Sequence, residues 1–164
     1  MIESPYIHAL LTICIRLKNC KSSWVVTGSL GMALQGMDIE VHDIDIQTDE
    51  SGAYEIESRL VEFVVEPVHF WASERICSHH GILKIDGIKV EIMGDLQKLL
   101  ANQVWEEPVQ VEPHRHWLCL EGMQVPVLSL EYECQAYQNL GRLEKAERIR
   151  NWLKQSRLQN EKAG

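Results

Sequence analysis

Residues 24–48, WVVTGSLGMALQGMDIEVHDIDIQT, decide the fold. Trp24, Val25, Val26 and Thr27 form a short apolar, β-branched run of the kind that fills a strand, and Gly28-Ser29 closes it with a tight turn. Leu30 to Gln35 suits a short helix, and Gly36 ends it. Ile39 to Gln47 then alternates, with Ile39, Val41, Ile44 and Ile46 set between acids and His42, as in a strand with one polar face. Asp43 and Asp45 stand two apart, so in a strand both carboxylates leave one face while Ile44 and Ile46 take the other. Gln47 and Thr48 follow directly and are candidates to line the same pocket.

Working outward, Ser4-Pro5 reads as an N-cap and first helical position. Ile7, Leu10, Leu11, Cys14 and Leu17 continue at helical spacing, predicting a helix over 4–18. Ser51 is placed to cap a helix with the apolar stripe Tyr54, Ile56, Leu60, Phe63 and Val64. Val68 to Trp71 reads as a strand. Ile82, Leu83 and Ile85 are joined to Ile88, Val90 and Ile92 by Asp86-Gly87, a strong hairpin signal. A short helix is expected over Asp95 to Ala101, while Val104 to Pro126 mixes Pro, Trp and His without a clear period. Ser129 caps a helix that Gly141 ends, and Leu143, Ala146, Ile149 and Leu153 mark a last one. The expectation is one domain over 1–155, with its core at 24–94, C-terminal helices over 129–155, and a polar tail over 156–164 that frays.

With 164 residues, 45% of them apolar, the chain suits one compact core. The net charge of -8 opposes sequence-independent binding to long nucleic acids, which Lys and Arg contacts to phosphate drive. Cys14, Cys20, Cys77, Cys119 and Cys134 are odd in number and scattered, so they read as reduced thiols of a cytoplasmic protein. No apolar run reaches the ~20 residues of a membrane span and no signal peptide is evident, so no membrane association is expected.

Hard divalent cations take oxygen ligands, and magnesium in nucleotide-using sites is held by one or two carboxylates plus substrate phosphates. Asp43 and Asp45 suit that role. A third acid on a neighbouring strand would allow two metals, and Glu91, between Val90 and Ile92, is the candidate. The Gly28-Ser29 turn at a helix N-terminus offers backbone amides and a hydroxyl to anionic oxygens. Each signal alone is weak: a D-x-D strand end is more often a solvated face, and a Gly-Ser turn more often only a helix cap. Their conjunction in one order is what carries weight.

V-T-G-S-L-G-M-A-L-Q-G followed by H-D-I-D-I-Q-T-D resembles the glycine-serine and D-x-D signature of the DNA polymerase β-like nucleotidyltransferase superfamily, in its minimal nucleotidyltransferase branch. With V-E-I-M-G-D and L-S-L-E-Y-E included, the chain is similar over nearly its whole length to a small group of prokaryotic proteins, one from a hyperthermophilic bacterium. The resemblance implies an α/β (α+β) nucleotidyltransferase fold, a mixed β-sheet flanked by helices with further helices at the C-terminus. It implies transfer of a nucleoside monophosphate from a nucleoside triphosphate, with ATP the expected donor, to an acceptor hydroxyl, releasing pyrophosphate. It assigns phosphate binding to Gly28 and Ser29, metal binding to Asp43 and Asp45, with Mg2+ or Mn2+ as the ion, and the third acid to Glu91. Aspartate is commoner at that last place, which leaves Glu91 open as metal ligand, general base or both. Leu140-Gly141-Arg142-x-x-Lys145 faintly resembles a helix motif whose basic groups face the nucleotide, against a default reading as a solvated helix face.

The acceptor is expected to be a small molecule or a protein side chain, as in toxin-antitoxin systems of related transferases. No separate acceptor-binding domain is evident, so a homodimer or partner subunit is expected to contribute. Two competing readings are a nucleotide- or partner-binding module without turnover, and a metal-dependent hydrolase with water as acceptor. Retention of all three acids weighs against the first. Cys77-Ser78-His79-His80 and His114-Arg115-His116 lack the spacing of a zinc site. His42 is as readily a structural strand histidine as a modulator of the acids. Trp71, Trp105 and Trp117 read first as core and edge residues.

Overall fold

A computed structural model describes residues 1–163. Its centre is one mixed seven-stranded sheet. The chain runs α1 (Ser4–Arg16), β1 (Trp24–Thr27), α2 (Gly28–Leu34), β2 (Ile44–Thr48), α3 (Glu50–Arg59), β3 (Val64–Ala72), β4 (Ile76–Ile85), β5 (Ile88–Lys98), β6 (Arg115–Leu120), β7 (Met123–Leu128), α4 (Leu130–Asn139) and α5 (Leu143–Ala163). The strand order is β3-β4-β5-β2-β1-β7-β6. β2 runs antiparallel to β1 but parallel to β5, and β1 runs parallel to β7. The mixed α/β architecture implied by the sequence is the one observed.

The parity of the central strands sorts the layers. Val26, Ile44, Ile46, Val90 and Ile92 point to one face, where they pack with Ala9, Leu10 and Ile13 of α1 and Ala53 and Ile56 of α3. This is the main core. On the other face Val25, Leu96 and Leu128 meet Val109 and Val111 of the long β5–β6 connection. α4 and α5 form a third cluster with Met32 and Met37, around Leu130, Cys134, Ala146 and Ile149. β1 is buried on both faces, which explains its unbroken apolar sequence.

The Asp86-Gly87 hairpin is formed as expected, with φ of 51° and 86°, the left-handed pair that a two-residue turn between twisted strands requires. Ser129 caps α4 by accepting from Tyr132 N–H at 3.2 Å.

Several local expectations are corrected. The helix expected over 95–101 is the end of β5: Gln97 and Lys98 pair with Cys77 and Ile76, and Asp95, at φ 49°, sits where the register shifts. Ladder hydrogen bonds to β4 override local helical preference there, with a bulge taking up the extra residue. β2 begins at Ile44 and not at Ile39, so Asp43 lies just ahead of the strand. α3 is capped by Asp49, whose side chain accepts from Gly52 N–H at 2.6 Å, and not by Ser51. The unassigned stretch 104–126 contains the β6–β7 hairpin, turned by Glu121-Gly122 at φ 49° and 79°. Residues 156–163, expected as a frayed tail, continue α5. All five cysteines are free thiols, and no helix among the described residues is long and apolar enough to cross a membrane.

α3 rests on β5 at Gly94, where an added Cβ would fall 2.7 Å from Asp49 O and 2.8 Å from Ala53 Cβ. Backbone stands in the way, so the helix must move to admit a methyl. Gly94→Ala is expected to cost about 1–3 kcal/mol, read as a lower urea midpoint at unchanged slope; a variant as stable as its parent would mean that α3 shifts freely.

Candidate active site

Parallel pairing of β2 with β5 sets Asp45 directly beside Glu91. Antiparallel pairing of β2 with β1 sets Asp45 beside Thr27, the last residue before the glycine turn. Three separate stretches of sequence thus converge on one spot of the sheet face opposite α1 and α3. A cavity of about 540 Å³ opens there, lined by Gly28, Asp45 and Glu91 together with Tyr137 of α4 and Leu140 just past its end. Asp43 is half-buried and is not among the residues that line it.

Gly28 is required on two counts. Its φ is 66°, a backbone conformation natural to glycine, and an added Cβ would lie 2.2 Å from Asp45 Oδ2. The turn can therefore approach the carboxylate only as glycine. Ser29, at the start of α2, accepts from His42 N–H at 3.3 Å through its Oγ. That bond ties the turn to the segment carrying Asp43. Tyr6 of α1 donates to His42 O at 3.2 Å, which holds the same segment from the other side and gives His42 a backbone role.

The charge balance is uneven. Burial, with the neighbouring Asp43, Glu91 and Glu133, pushes the Asp45 carboxyl up to about 7. Burial and Glu91 also raise Asp43. Burial acts to raise Glu91 as well, but hydrogen bonds from Lys89 and His80 outweigh it and hold Glu91 below its usual range. Lys89 pairs with Glu91 Oε1 and stands 4.0 Å from Asp43 Oδ2, and His80 Nε2 lies 3.4 Å from Glu91 Oε2. Among the described residues, no three His, Cys, Asp or Glu side chains are drawn together at metal-holding separation, and both Glu91 oxygens turn to Lys89 and His80. The donor set still suits a divalent cation: hard oxygens only, with Asp45 short of positive charge.

Glu133 is a cavity-lining residue that sequence reasoning missed. It comes from α4, is buried, and accepts from Thr27 Oγ1 and, at 2.9 Å, from Gly28 N–H. Burial raises its carboxyl against the lowering effect of those two bonds. The Gly28 amide, expected to be exposed for phosphate, is thus already engaged. A signal existed: Glu133 falls on the same helical face as the apolar Leu130, Cys134 and Tyr137, where an unpartnered acid would be costly.

Other sequence candidates separate. Gln47 lines the cavity, whereas Thr48 faces away and donates to Ser23 O at 2.8 Å. Arg142 reaches the cavity rim, while Lys145 sits 5.2 Å over the Tyr137 ring. Trp71 lines the cavity, and Trp117 stacks under Arg115 instead. His114 stacks on Tyr132 at 4.1 Å.

Residues 9–154 match the family described as aminoglycoside-2''-adenylyltransferase. Among solved structures, TM1012 of Thermotoga maritima, a candidate nucleotidyltransferase, is 58% identical and superposes with a TM-score of 0.83 over 94% of this chain and 96% of its own. The antibiotic-resistance factor ANT(2'')-Ia, at 12% identity, gives 0.61 over 93% and 86%. The lincosamide antibiotic adenylyltransferase LnuA, solved with lincomycin bound, gives 0.56 at 16% identity over 87% and 96%. At these last two identities the likeness is one of fold. No curated protein matches.

Raising Asp45 from 3.8 to about 7 makes the folded chain hold a proton that the unfolded chain has already lost. The stability from this group is complete below its unfolded value and disappears as pH rises through the folded one. Asp45→Asn is therefore expected to melt above its parent at about pH 8, by about 1 kcal/mol or more, or about 2–4 °C. The gap should shrink toward about pH 5; a gap independent of pH would dismiss the repulsion.

Proposed function

The chain belongs to the aminoglycoside-2''-adenylyltransferase family of nucleotidyltransferases, and on that premise we propose that it transfers AMP from ATP, with magnesium, to a hydroxyl of a small molecule, releasing pyrophosphate. The observation that carries the reading is the Asp45–Glu91 register on parallel strands beside Gly28. That arrangement has no stabilising role, since it sets like charges together on a partly buried face.

Asp43 and Asp45 would hold the metal, with Glu91 as the third acid. When bound, the ion neutralises charge that builds on the phosphates and screens the carboxylates from one another. The chain's own groups do the rest. Ser29 and the α2 N-terminus receive the outer phosphates, and the missing side chain of Gly28 lets them come close to Asp45. Glu91, held low in pKa and oriented by His80, takes the proton of the acceptor hydroxyl. The freed oxygen bonds to the α-phosphorus as the bond to pyrophosphate breaks. Lys89, now paired with Glu91, can follow its charge to the phosphates. Arg142 at the rim adds a second cation. The cavity volume of about 540 Å³ fits a small molecule, and the net charge of -8 disfavours a long polyanion.

ATP with magnesium is expected to raise the melting temperature of the parent. A hundredfold excess over Kd corresponds to about 2.7 kcal/mol, or about 5–10 °C at this chain length. Asp43→Ala and Asp45→Asn should lose the rise, and a shift that persists without magnesium would point to a binding module without turnover. Glu91→Gln should keep most of the rise yet release pyrophosphate about 100-fold more slowly, measured with a coupled phosphate assay on an acceptor mixture. Equal rates would remove Glu91 from proton transfer.

A further inference from the structure

Lys89 bridges two of the three acids assigned to the metal. Its Nζ pairs with Glu91 Oε1 and stands 4.0 Å from Asp43 Oδ2. Among the described residues it is the only cation within ion-pair distance of both. Asp43 lies ahead of β2 and Glu91 on β5, so the ammonium ties together carboxylates from two separate stretches of chain. The second Glu91 oxygen faces His80 Nε2 at 3.4 Å. With both oxygens engaged, this carboxylate can reach a divalent cation only by giving up a partner. Lys89 is the one more easily given up. Its side chain is 48% exposed, against 21% for His80, and its flexible four-carbon stem lets the ammonium swing away while the strand stays in place.

The ladder registers put this lysine at the phosphate end of the site. Asp45 pairs with Glu91 on parallel strands, and Asp43 and Lys89 each stand two residues before them, toward the same end of the sheet. β1 runs antiparallel to β2 with Thr27 beside Asp45, so Gly28 and Ser29 leave β1 at that end as well. The bond from His42 N–H to Ser29 Oγ, at 3.3 Å, ties the turn to the segment that carries Asp43. We propose, resting on the nucleotidyltransferase reading above, that Lys89 is the resident counter-ion of the metal site: it competes with the divalent cation for Asp43 and Glu91 and, once displaced, binds the phosphates of the nucleotide. A bare metal ion then binds weakly, because the ammonium must be moved out to solvent. Phosphates offer that ammonium a new anionic partner, so metal and nucleotide each favour the binding of the other. Lys89 thus acts in opposite senses on the two ligands, unlike a residue that only supports the β4–β5 hairpin.

Two titrations on the parent, Lys89→Met and Lys84→Met test this: Mn2+ without nucleotide, followed by loss of the free-ion EPR signal, and ATP at saturating magnesium, followed by calorimetry. Lys84 faces Lys89 across the β4–β5 ladder, is exposed and has no ion pair with the acids, so its loss is the matching change in net charge. Lys89→Met should bind Mn2+ about 10-fold more tightly than the parent and ATP about 10-fold more weakly. Lys84→Met should bind Mn2+ within about twofold of the parent, because salt screens an exposed, unpaired charge. Mn2+ binding that is unchanged or weaker in Lys89→Met, an equal gain in Lys84→Met, or ATP binding by Lys89→Met as tight as the parent's overturns the inference. If no variant binds Mn2+ and the parent shows no magnesium-dependent binding of ATP, the nucleotidyltransferase reading falls, and this inference with it. Lys89→Gln, which keeps a polar group at this half-exposed position, replaces Lys89→Met should that variant fail to fold.

Discussion

The parallel pairing of β2 with β5 is the constraint on which the site depends. Parallel neighbours cannot be joined by a tight turn, so the chain must leave β2, cross through α3 and return by the β3–β4–β5 meander before the pair can form. That detour sets Asp45 beside Glu91, although they are 46 positions apart in the chain. The pairing sits over a dense aliphatic layer of Ile44, Ile46, Val90 and Ile92, each essentially inaccessible. The same four side chains that anchor the strands leave their alternate neighbours no choice but the opposite face. Burial of one face thus forces carboxylates together on the other.

What opposes that repulsion is arranged around it. Lys89 and His80 both address Glu91, and neither hydrogen-bonds to Asp45. The result is an asymmetric pair, one acid kept ionised and the other pushed toward protonation. Divergence of this sort between adjacent acids is characteristic of groups with different tasks. A cation bound between them would reverse the sign of the local field.

α4 couples the C-terminal helices to the site through one side chain. Glu133 spans the gap from α4 to the turn and receives donors from Thr27 and Gly28. Thr27 in turn orients Gln47. Four residues from β1, the turn, β2 and α4 therefore share one directional network, so a movement of α4 is felt at the glycine turn. The loop ahead of β2 is held separately, by Ser29 and by Tyr6 of α1.

Much of this was legible along the chain. Alternation in Ile44 to Gln47 put Asp45 and Gln47 on one face, Asp86-Gly87 specified its hairpin, and the glycine-serine turn marked the start of α2, because each is a local matter of period or of left-handed backbone. Local patterns failed where the deciding partner was distant. Residues 95–98 extend a strand because β4 offers them a ladder, Asp49 caps α3 ahead of the expected Ser51, and residues 156–163 stay helical. Glu133 and the free oxygen of Gln47 belong wholly to the tertiary structure: a side chain's hydrogen-bond partners depend on what folding brings within 3 Å or so, and no spacing within one segment encodes a contact made across 105 positions.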